Sequence, residues 1–188
     1  MIKLKDLLNE GKDKYEYGCV MLYSSFPTQI IKLQDVINPK DLYLADDNGG
    51  YGLETEAHCT LLYGLHDGVN LDDVKSKISN IIFDELKITG PTLFENENFD
   101  VLKYDVNYPT KSGAFLHKAN NALTELPNTQ SFPDYHPHMT IAYIKPGLGK
   151  KYVELFKSKN ASEFIVKPDY AVFSEPNGTK TKFKIKIK

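Results

Sequence analysis

The alternation of hydrophobic and polar residues along the chain predicts a mixed α+β fold. Some stretches repeat with a period of two, as in strands, and others with a period near 3.6, as in helices. The predicted order is strand, helix, strand, helix, hairpin, helix, strand, helix, hairpin. Strands are predicted near residues 17–23, 58–65, 86–94, 99–106 and 138–144, and helices over 28–37, 71–83, 109–126 and 148–157.

The two ends of the chain add a short helix and a hairpin. Residues 1–10 have apolar positions at helical spacing. Residues 163–188 contain Asn177-Gly178 between alternating runs, which is a strong hairpin signal. The last run alternates lysine with apolar residues, which favours protection of an exposed sheet edge over a basic stripe for phosphates. Residues 1–188 are predicted to form a single domain.

One pattern occurs twice in the sequence: His, any residue, Thr, two small or apolar residues, then Tyr. The copies are His58-Cys59-Thr60-Leu61-Leu62-Tyr63 and His138-Met139-Thr140-Ile141-Ala142-Tyr143. The chain has only five histidines, and two of them begin these copies. His136 is an alternative to His138, but only His138 stands two residues before a Thr and five before a Tyr.

Strand geometry predicts which side chains of each copy share a face. Alternate residues of a strand point to the same side of the sheet. His58 and Thr60 are therefore predicted to lie together, with Tyr63 on the opposite face, and His138 and Thr140 are predicted to lie together in the second copy. Each copy thus offers one imidazole and one hydroxyl to the same surface.

Two such pairs facing each other suit a phosphodiester. One imidazole can act as general base and the other as general acid on opposite sides of phosphorus. The two threonine hydroxyls can hold the non-bridging oxygens. This arrangement requires no metal, so neither a metal nor a cofactor is predicted. The acidic loop before the first copy, residues 46–52, lacks the spacing of an EF-hand and is interpreted as a flap beside the cleft.

Composition and charge restrict the class of partner. The chain has 188 residues, 41% of them hydrophobic and 26% charged, with a net charge of −2. This balance gives no general attraction to long nucleic acids or to anionic membranes. No secretion signal or membrane span is visible, and Cys19 and Cys59 lie in apolar strands without metal-ligand spacing, as expected in a reducing compartment. A cytoplasmic location is therefore predicted.

The doubled pattern resembles that of the two-histidine (2H) phosphoesterases, a superfamily that includes RNA-ligase-like proteins and cyclic phosphodiesterases. Its signature is His, a hydrophobic residue, then Thr or Ser, repeated on a second strand; here Cys59 occupies the first hydrophobic position. The resemblance implies two α+β lobes, with antiparallel sheets flanking a central cleft and helices outside. It also implies that His58, Thr60, His138 and Thr140 are the catalytic residues.

The resemblance leaves several substrates open. The chain is similar in size, charge and aromatic loops to compact phage phosphodiesterases that destroy bacterial cyclic-oligonucleotide immune signals (anti-CBASS enzymes), which favours a cyclic or short oligonucleotide. The alternatives are a 2′,3′-cyclic phosphodiesterase or 2′-5′ ligase acting on RNA ends, and a nucleotide-binding module without activity. Candidate substrate-binding residues are Tyr51, Tyr135, Phe132 and His136, although Tyr135 and Phe132 could instead anchor their loop to the core. The sequence does not indicate an oligomeric state.

Overall fold

The computed structural model describes residues 16–44, 51–107, 114–130 and 134–188. The helices are α1 (Thr28–Gln34), α2 (Leu71–Ile78), α3 (Ala114–Leu123) and α4 (Gly149–Ser158). The strands are β1 (Gly18–Ser24), β2 (His58–Leu65), β3 (Ile82–Phe83), β4 (Leu86–Glu95), β5 (Asp100–Asn107), β6 (His138–Ile144), β7 (Glu163–Val166), β8 (Pro168–Ser174), β9 (Lys180–Phe183) and β10 (Lys186–Ile187). The predicted helix over residues 1–10 lies outside the described residues.

Two antiparallel sheets of four strands dominate the structure. The first has the order β2-β1-β8-β9 and the second has the order β6-β5-β4-β7. Each sheet therefore begins with one of the two His-x-Thr strands. A small parallel pair, β10 with β3, completes the described pairings. The two sheets are the centres of two lobes built on the same plan.

The main core lies on one side of both sheets, where the helices pack. Alternate residues of the central strands, such as Leu22 in β1 and Leu102 in β5, are fully buried there together with Ile30 of α1 and Leu116 of α3. The opposite face of the first sheet has a second, smaller cluster of Cys19, Met21, Tyr23 and Val172. His58 and His138 are both part-buried on the faces opposite the helices, which are the faces available to a ligand.

Two predicted helices differ from the structure. The helix predicted to end near residue 83 stops at Ile78, because Ile82 and Phe83 leave it to pair with Lys186 and Ile187. The helix predicted over residues 28–37 ends at Gln34, and Pro27 occupies its capping position with no side chain bonded to the first turn. Both differences arise because tertiary pairing and backbone geometry override the local sequence signal.

Residues 163–188 contain four strands, where a two-stranded hairpin was predicted. The Asn177-Gly178 turn does join two antiparallel strands, β8 and β9. However, β7 pairs with β4 in the second sheet, while β8 pairs with β1 in the first. The chain therefore crosses between the lobes at Lys167, the single residue that separates β7 from β8. Within the described residues, no helix is long and apolar enough to cross a membrane.

Candidate active site

The two histidines of the repeated pattern have the same local geometry. The Nδ1 atom of His58 lies 2.9 Å from the backbone oxygen of Glu56, and that of His138 lies 2.8 Å from the backbone oxygen of His136. A carbonyl oxygen can only accept a hydrogen bond, so Nδ1 carries the proton in both rings. In a neutral ring Nε2 then keeps its lone pair and can act as a general base, whereas in a protonated ring Nε2 carries the proton that a general acid gives.

A β-bulge follows the threonine in both strands. In the first, Met21 pairs with Thr60 and Val20 pairs with Leu62, which leaves Leu61 as an extra residue. In the second, Lys103 pairs with Thr140 and Leu102 pairs with Ala142, which leaves Ile141 as the extra residue. A bulge interrupts the alternation of faces, so residues beyond it change sides.

The bulge corrects the predicted position of Tyr63. Strict alternation places this tyrosine opposite Thr60, but in the structure Tyr63 pairs with Cys19 and packs against the cluster on the histidine face. Tyr143 occupies the corresponding place in the second strand, and the Thr140 side chain hydrogen-bonds with it. Burial raises the pKa of the Tyr143 hydroxyl, and the bond from Thr140 partly opposes that effect. His, Thr and Tyr therefore share one face in both copies.

The carbonyl of each bulge residue accepts a hydrogen bond from a helix side chain. Asn120 of α3 donates to the oxygen of Leu61 at 2.7 Å, and Gln34 of α1 donates to the oxygen of Ile141 at 2.9 Å. Gln34 is buried and also donates to the oxygen of Glu54 at 2.7 Å. A bulge leaves a strand carbonyl outside the ladder. Asn120 bonds the carbonyl of Leu61, whereas the carbonyl of Ile141 is shared between Gln34 and the backbone N–H of Glu54, at 2.9 Å.

Several contacts bring the two strands together. The hydroxyl of Tyr135, three residues before His138, donates to the Thr60 oxygen at 3.0 Å. The Cys59 thiol interacts with both Tyr135 and the backbone of His138, and burial raises the pKa of this thiol to about 12. The charge of His58 also acts on His138. The two imidazoles, eighty residues apart in sequence, therefore lie close enough for the charge of one to act on the other.

His138 lies in an environment that favours its neutral form. Burial lowers its pKa from the ordinary value of 6.5, and the charges of Lys103 and His58 lower it further. The hydrogen bond to the His136 oxygen and the charge of Asp105 oppose this effect. The balance keeps the ring uncharged at neutral pH, when it can accept a proton.

Solved structures of other proteins share this fold. No protein-family model matches the sequence, and no curated protein matches it. Usb1 from Kluyveromyces marxianus superposes with a TM-score of 0.56 at 9% identity, covering 92% of this chain and 99% of Usb1. The same protein with uridine monophosphate gives 0.51 at 10% identity, covering 90% and 99%. Apo E. coli LigT gives 0.49 at 14% identity, covering 90% and 96%.

The chain has the 2H phosphoesterase fold. The predicted α+β class, with antiparallel sheets in two lobes around a cleft and helices outside, is therefore confirmed. In this 2H fold the sheets that start with β2 and β6 supply His58 with Thr60 and His138 with Thr140, respectively. Thr140 is buried and Thr60 is part-buried, so the two hydroxyls differ in exposure.

The candidate substrate-binding residues have different surroundings in the 2H cleft. Tyr135 is held by its bond to Thr60 and packs edge-on against His117, so it anchors the loop before His138. His136 is exposed, and its backbone oxygen orients His138. Phe132 lies outside the described residues.

Tyr51 belongs to an aromatic cluster at the far end of β6. Its ring centroid is 4.9 Å from that of Tyr143 and 5.2 Å from that of Phe99. The backbone of Tyr51 has a φ of 73°, which is unusual for a residue other than glycine. The cluster fixes this residue beside Tyr143, and thus beside the Thr140 end of the site.

The sequence analysis missed a charged group on the second sheet. Lys103 pairs with Thr140 and Asp105 pairs with His138, so both share the face of the repeated pattern. Lys103 is buried; its ammonium forms an ion pair with Asp105 and donates to the Thr92 hydroxyl at 3.0 Å. The available signal was a Lys and an Asp two residues apart in an otherwise apolar strand. Among the described residues no group of three or more His, Cys, Asp or Glu side chains could hold a metal ion.

Proposed function

We propose that this protein is a phosphodiesterase that uses His58 and His138 for general acid–base catalysis. The observation that carries the proposal is the matched pair of imidazoles on adjoining strands, each with its Nδ1 proton bound to a backbone carbonyl. Two such rings can remove a proton and supply one in the same reaction without a metal. The 2H fold supports this assignment.

The surroundings of the two rings suggest their roles. Burial and Lys103 favour the neutral form of His138, so His138 is assigned as the general base. With an internal diester, Nε2 of His138 takes the proton of the ribose 2′ hydroxyl, whose oxygen attacks phosphorus. The bond from phosphorus to the 5′ oxygen breaks, and that oxygen takes the Nε2 proton of His58, which acts in its imidazolium form. The products are a 2′,3′-cyclic phosphate and a 5′ hydroxyl.

The threonines and a second substrate type complete the scheme. Thr60 and Thr140 donate to the non-bridging oxygens, where negative charge increases in the transition state. With a 2′,3′-cyclic phosphate as substrate, the base removes a proton from water instead. That water attacks phosphorus, and the departing ribose oxygen receives a proton from the other histidine.

The substrate proposed is a cyclic or short oligonucleotide. A net charge of −2 disfavours long nucleic acids. One class that fits is a cyclic oligonucleotide immune signal, which would make the protein a phage counter-defence enzyme of the cytoplasm. The alternative is an RNA end, which is favoured by the fold shared with Usb1, a protein whose structure has been solved with uridine monophosphate.

The first test is the loss of either imidazole. His58→Ala and His138→Ala should each lower kcat by at least about 10²-fold, the usual contribution of general acid–base catalysis. The substrates are cyclic dinucleotides, cyclic trinucleotides and 2′,3′-cyclic mononucleotides, assayed with EDTA present. His66→Ala is the matched control, because the His66 ring bonds the Thr129 hydroxyl and stands outside the repeated pattern.

The outcomes separate the competing functions. Turnover that survives both active-site substitutions would overturn the mechanism. A ligand that binds but stays intact during prolonged incubation would favour a binding module. Cleavage of the 2′,3′-cyclic mononucleotides alone would favour the RNA-end alternative.

A further inference from the structure

A partly exposed aromatic ring lies beside His138. Phe94 of β4 has 40% of its surface exposed, although it is a large hydrophobic residue. Its ring centroid is 5.0 Å from that of His138, with the two rings nearly perpendicular at 86°. A nucleoside attached to phosphorus at His138 would lie within reach of this ring.

A buried ammonium supports the ring from the sheet side. The Nζ atom of Lys103 lies 4.0 Å from the Phe94 ring centroid. Lys103 is held there by Asp105 and by Thr92, whose hydroxyl also donates to Asp105 at 3.0 Å. The Lys103 side chain is buried but that of Asp105 is 39% exposed, and such an ion pair contributes little net stability to a fold. This one fixes a cation against the inner face of Phe94, so the exposed part of the ring is directed away from the sheet.

A second row of rings extends from His58 across the first sheet. Tyr23 pairs directly with His58 and with Tyr170, so all three share one face. The Tyr23 ring is 5.5 Å from the His58 ring, and the Tyr170 ring stacks on Tyr23 at 5.2 Å with 9° between their planes. Tyr23 is buried, whereas Tyr170 is partly exposed. Tyr170 is thus the accessible ring of this row.

The Tyr170 ring is also in contact with a lysine. The Nζ atom of Lys182, an exposed residue of β9, lies 3.4 Å from the Tyr170 ring centroid. An exposed cation–π contact is weaker than the stacking of a nucleobase on an aromatic ring. A base can therefore take the place of the ammonium, which is then free to approach a phosphate.

We infer that the cleft binds one nucleoside on each side of the reacting phosphorus, one against Phe94 and the other against Tyr170. The substrate is then an internal phosphodiester that joins two nucleosides, and a terminal cyclic phosphate fills only half of the site. This inference rests on the proposed function and restricts its substrates to those with a nucleoside on each side of the reacting phosphorus. Each lobe supplies one histidine, one threonine and one accessible ring.

The test compares two substrates in variants of the two rings. The substrates are the dinucleotide ApA and adenosine 2′,3′-cyclic phosphate, and the variants are Phe94→Leu and Tyr170→Leu. Each variant should lower kcat/KM for the dinucleotide about tenfold or more, since each loses the stacking of one base. For the cyclic mononucleotide, at most one variant should have this effect. Phe94→Tyr and Tyr170→Phe should stay within about twofold of the wild type, because the stacking surface is retained.

A control and a binding measurement make the outcomes distinct. Ile165→Leu changes an exposed apolar residue of β7 and should leave both substrates unaffected. The deoxydinucleotide dApdA lacks the attacking hydroxyl and reports binding alone; both ring-to-leucine variants should weaken its binding about tenfold. Cleavage of the cyclic mononucleotide without cleavage of ApA would overturn the inference and leave the proposed function standing, and so would an equal effect on the two substrates in both ring-to-leucine variants. Failure to cleave any phosphodiester, with dApdA bound through both rings, would overturn the proposed function alone.

Discussion

At the scale of single residues, the surroundings of His138 set the conditions under which it can act. Four groups act on this ring: the cationic Lys103, the carboxylate of Asp105, the second imidazole His58 and the backbone oxygen of His136. Two of them lower the pKa of His138 and two raise it, while burial lowers it most. The pKa of His138 therefore depends on the side-chain charges of Lys103, Asp105 and His58, each of which a single substitution can remove.

Removing these charges should move the pH profile in opposite directions. With His138 as the base, the acidic limb of kcat/KM for the wild type should have its midpoint below pH 6.5. Lys103→Met removes a cation and should move the limb to higher pH. Asp105→Asn removes an anion and should move it to lower pH. The measurement is kcat/KM against pH for all three proteins.

Folding must be checked in the same variants. Removing one partner of the Lys103–Asp105 ion pair should cost less than the roughly 3–5 kcal/mol of a fully buried pair, because the Asp105 side chain is 39% exposed. Thermal unfolding at each pH therefore accompanies the kinetics, and the double variant Lys103→Met/Asp105→Asn should bring the limb back toward the wild-type position. Limbs that move in the same direction, or do not move, would show that His138 is not the base.

The lowered pKa of His138 also predicts a pH dependence of stability. The folded chain keeps this ring neutral, whereas the unfolded chain protonates it below pH 6.5. Protons therefore favour the unfolded state as the pH falls below 6.5, and the contribution of His138 is fully present only above that value. Between pH of about 7.5 and about 5.5, the free energy of unfolding should fall more for the wild type than for His138→Gln. Equal decreases in urea titrations would contradict the burial of this ring.

At the scale of secondary structure elements, the bulges show what the sequence could and could not predict. The repeated pattern was sufficient to locate both strands and to place His58 with Thr60 and His138 with Thr140 on common faces. It could not show the extra residue at Leu61 or Ile141, since a bulge is defined by the residues of the partner strand.

Two other predictions were wrong for the same reason: the structure there depends on contacts between residues that are distant in sequence. The end of α2 depends on Ile82 pairing with Lys186, more than one hundred residues later. The division of residues 163–188 between two sheets likewise depends on β4 and β1, which are distant in sequence. Local periodicity predicts a helix or a strand well, but it does not reveal which other strand pairs with it.

The amides that bind the bulge carbonyls should matter for both stability and rate. Gln34→Met and Asn120→Leu keep the side-chain volume but remove amide donors. The first removes the donor to the Glu54 oxygen and leaves the Ile141 oxygen with the Glu54 N–H, and the second removes the donor to the Leu61 oxygen. Each should lower the free energy of unfolding by about 1–3 kcal/mol, the usual cost of an unpaired buried polar group. Because the bulges orient Thr60 and Thr140, kcat should decrease more than KM changes.

The control for this pair is Asn121→Leu, on the exposed side of the same helix as Asn120. Urea unfolding measures the stability of the three variants, and steady-state kinetics under folded conditions measures kcat. An unchanged kcat in Gln34→Met and Asn120→Leu, with stability reduced, would assign these amides a structural role only.

At the scale of the whole molecule, the two lobes share one core. Leu22 of the first sheet and Leu102 of the second belong to the same cluster of buried side chains, and helices from both halves of the chain contribute to it. The chain also crosses between the sheets at Lys167, after β7 has paired with the second sheet. We therefore propose that residues 1–188 unfold as a single domain although the fold has two lobes.

Matched truncations of the core in each lobe test this proposal. Leu22→Ala and Leu102→Ala both remove a fully buried side chain and should each cost about 2–5 kcal/mol. If the lobes form one cooperative unit, each variant lowers the midpoint of the same single transition in urea and leaves its slope unchanged. The chain has 12 tyrosines and no tryptophan, so far-ultraviolet circular dichroism and tyrosine fluorescence are the two probes. The contrary outcome is two separate transitions, with each substitution shifting only the transition of its own lobe. The lobes would then fold independently, and the cleft between His58 and His138 would be an interface between two domains.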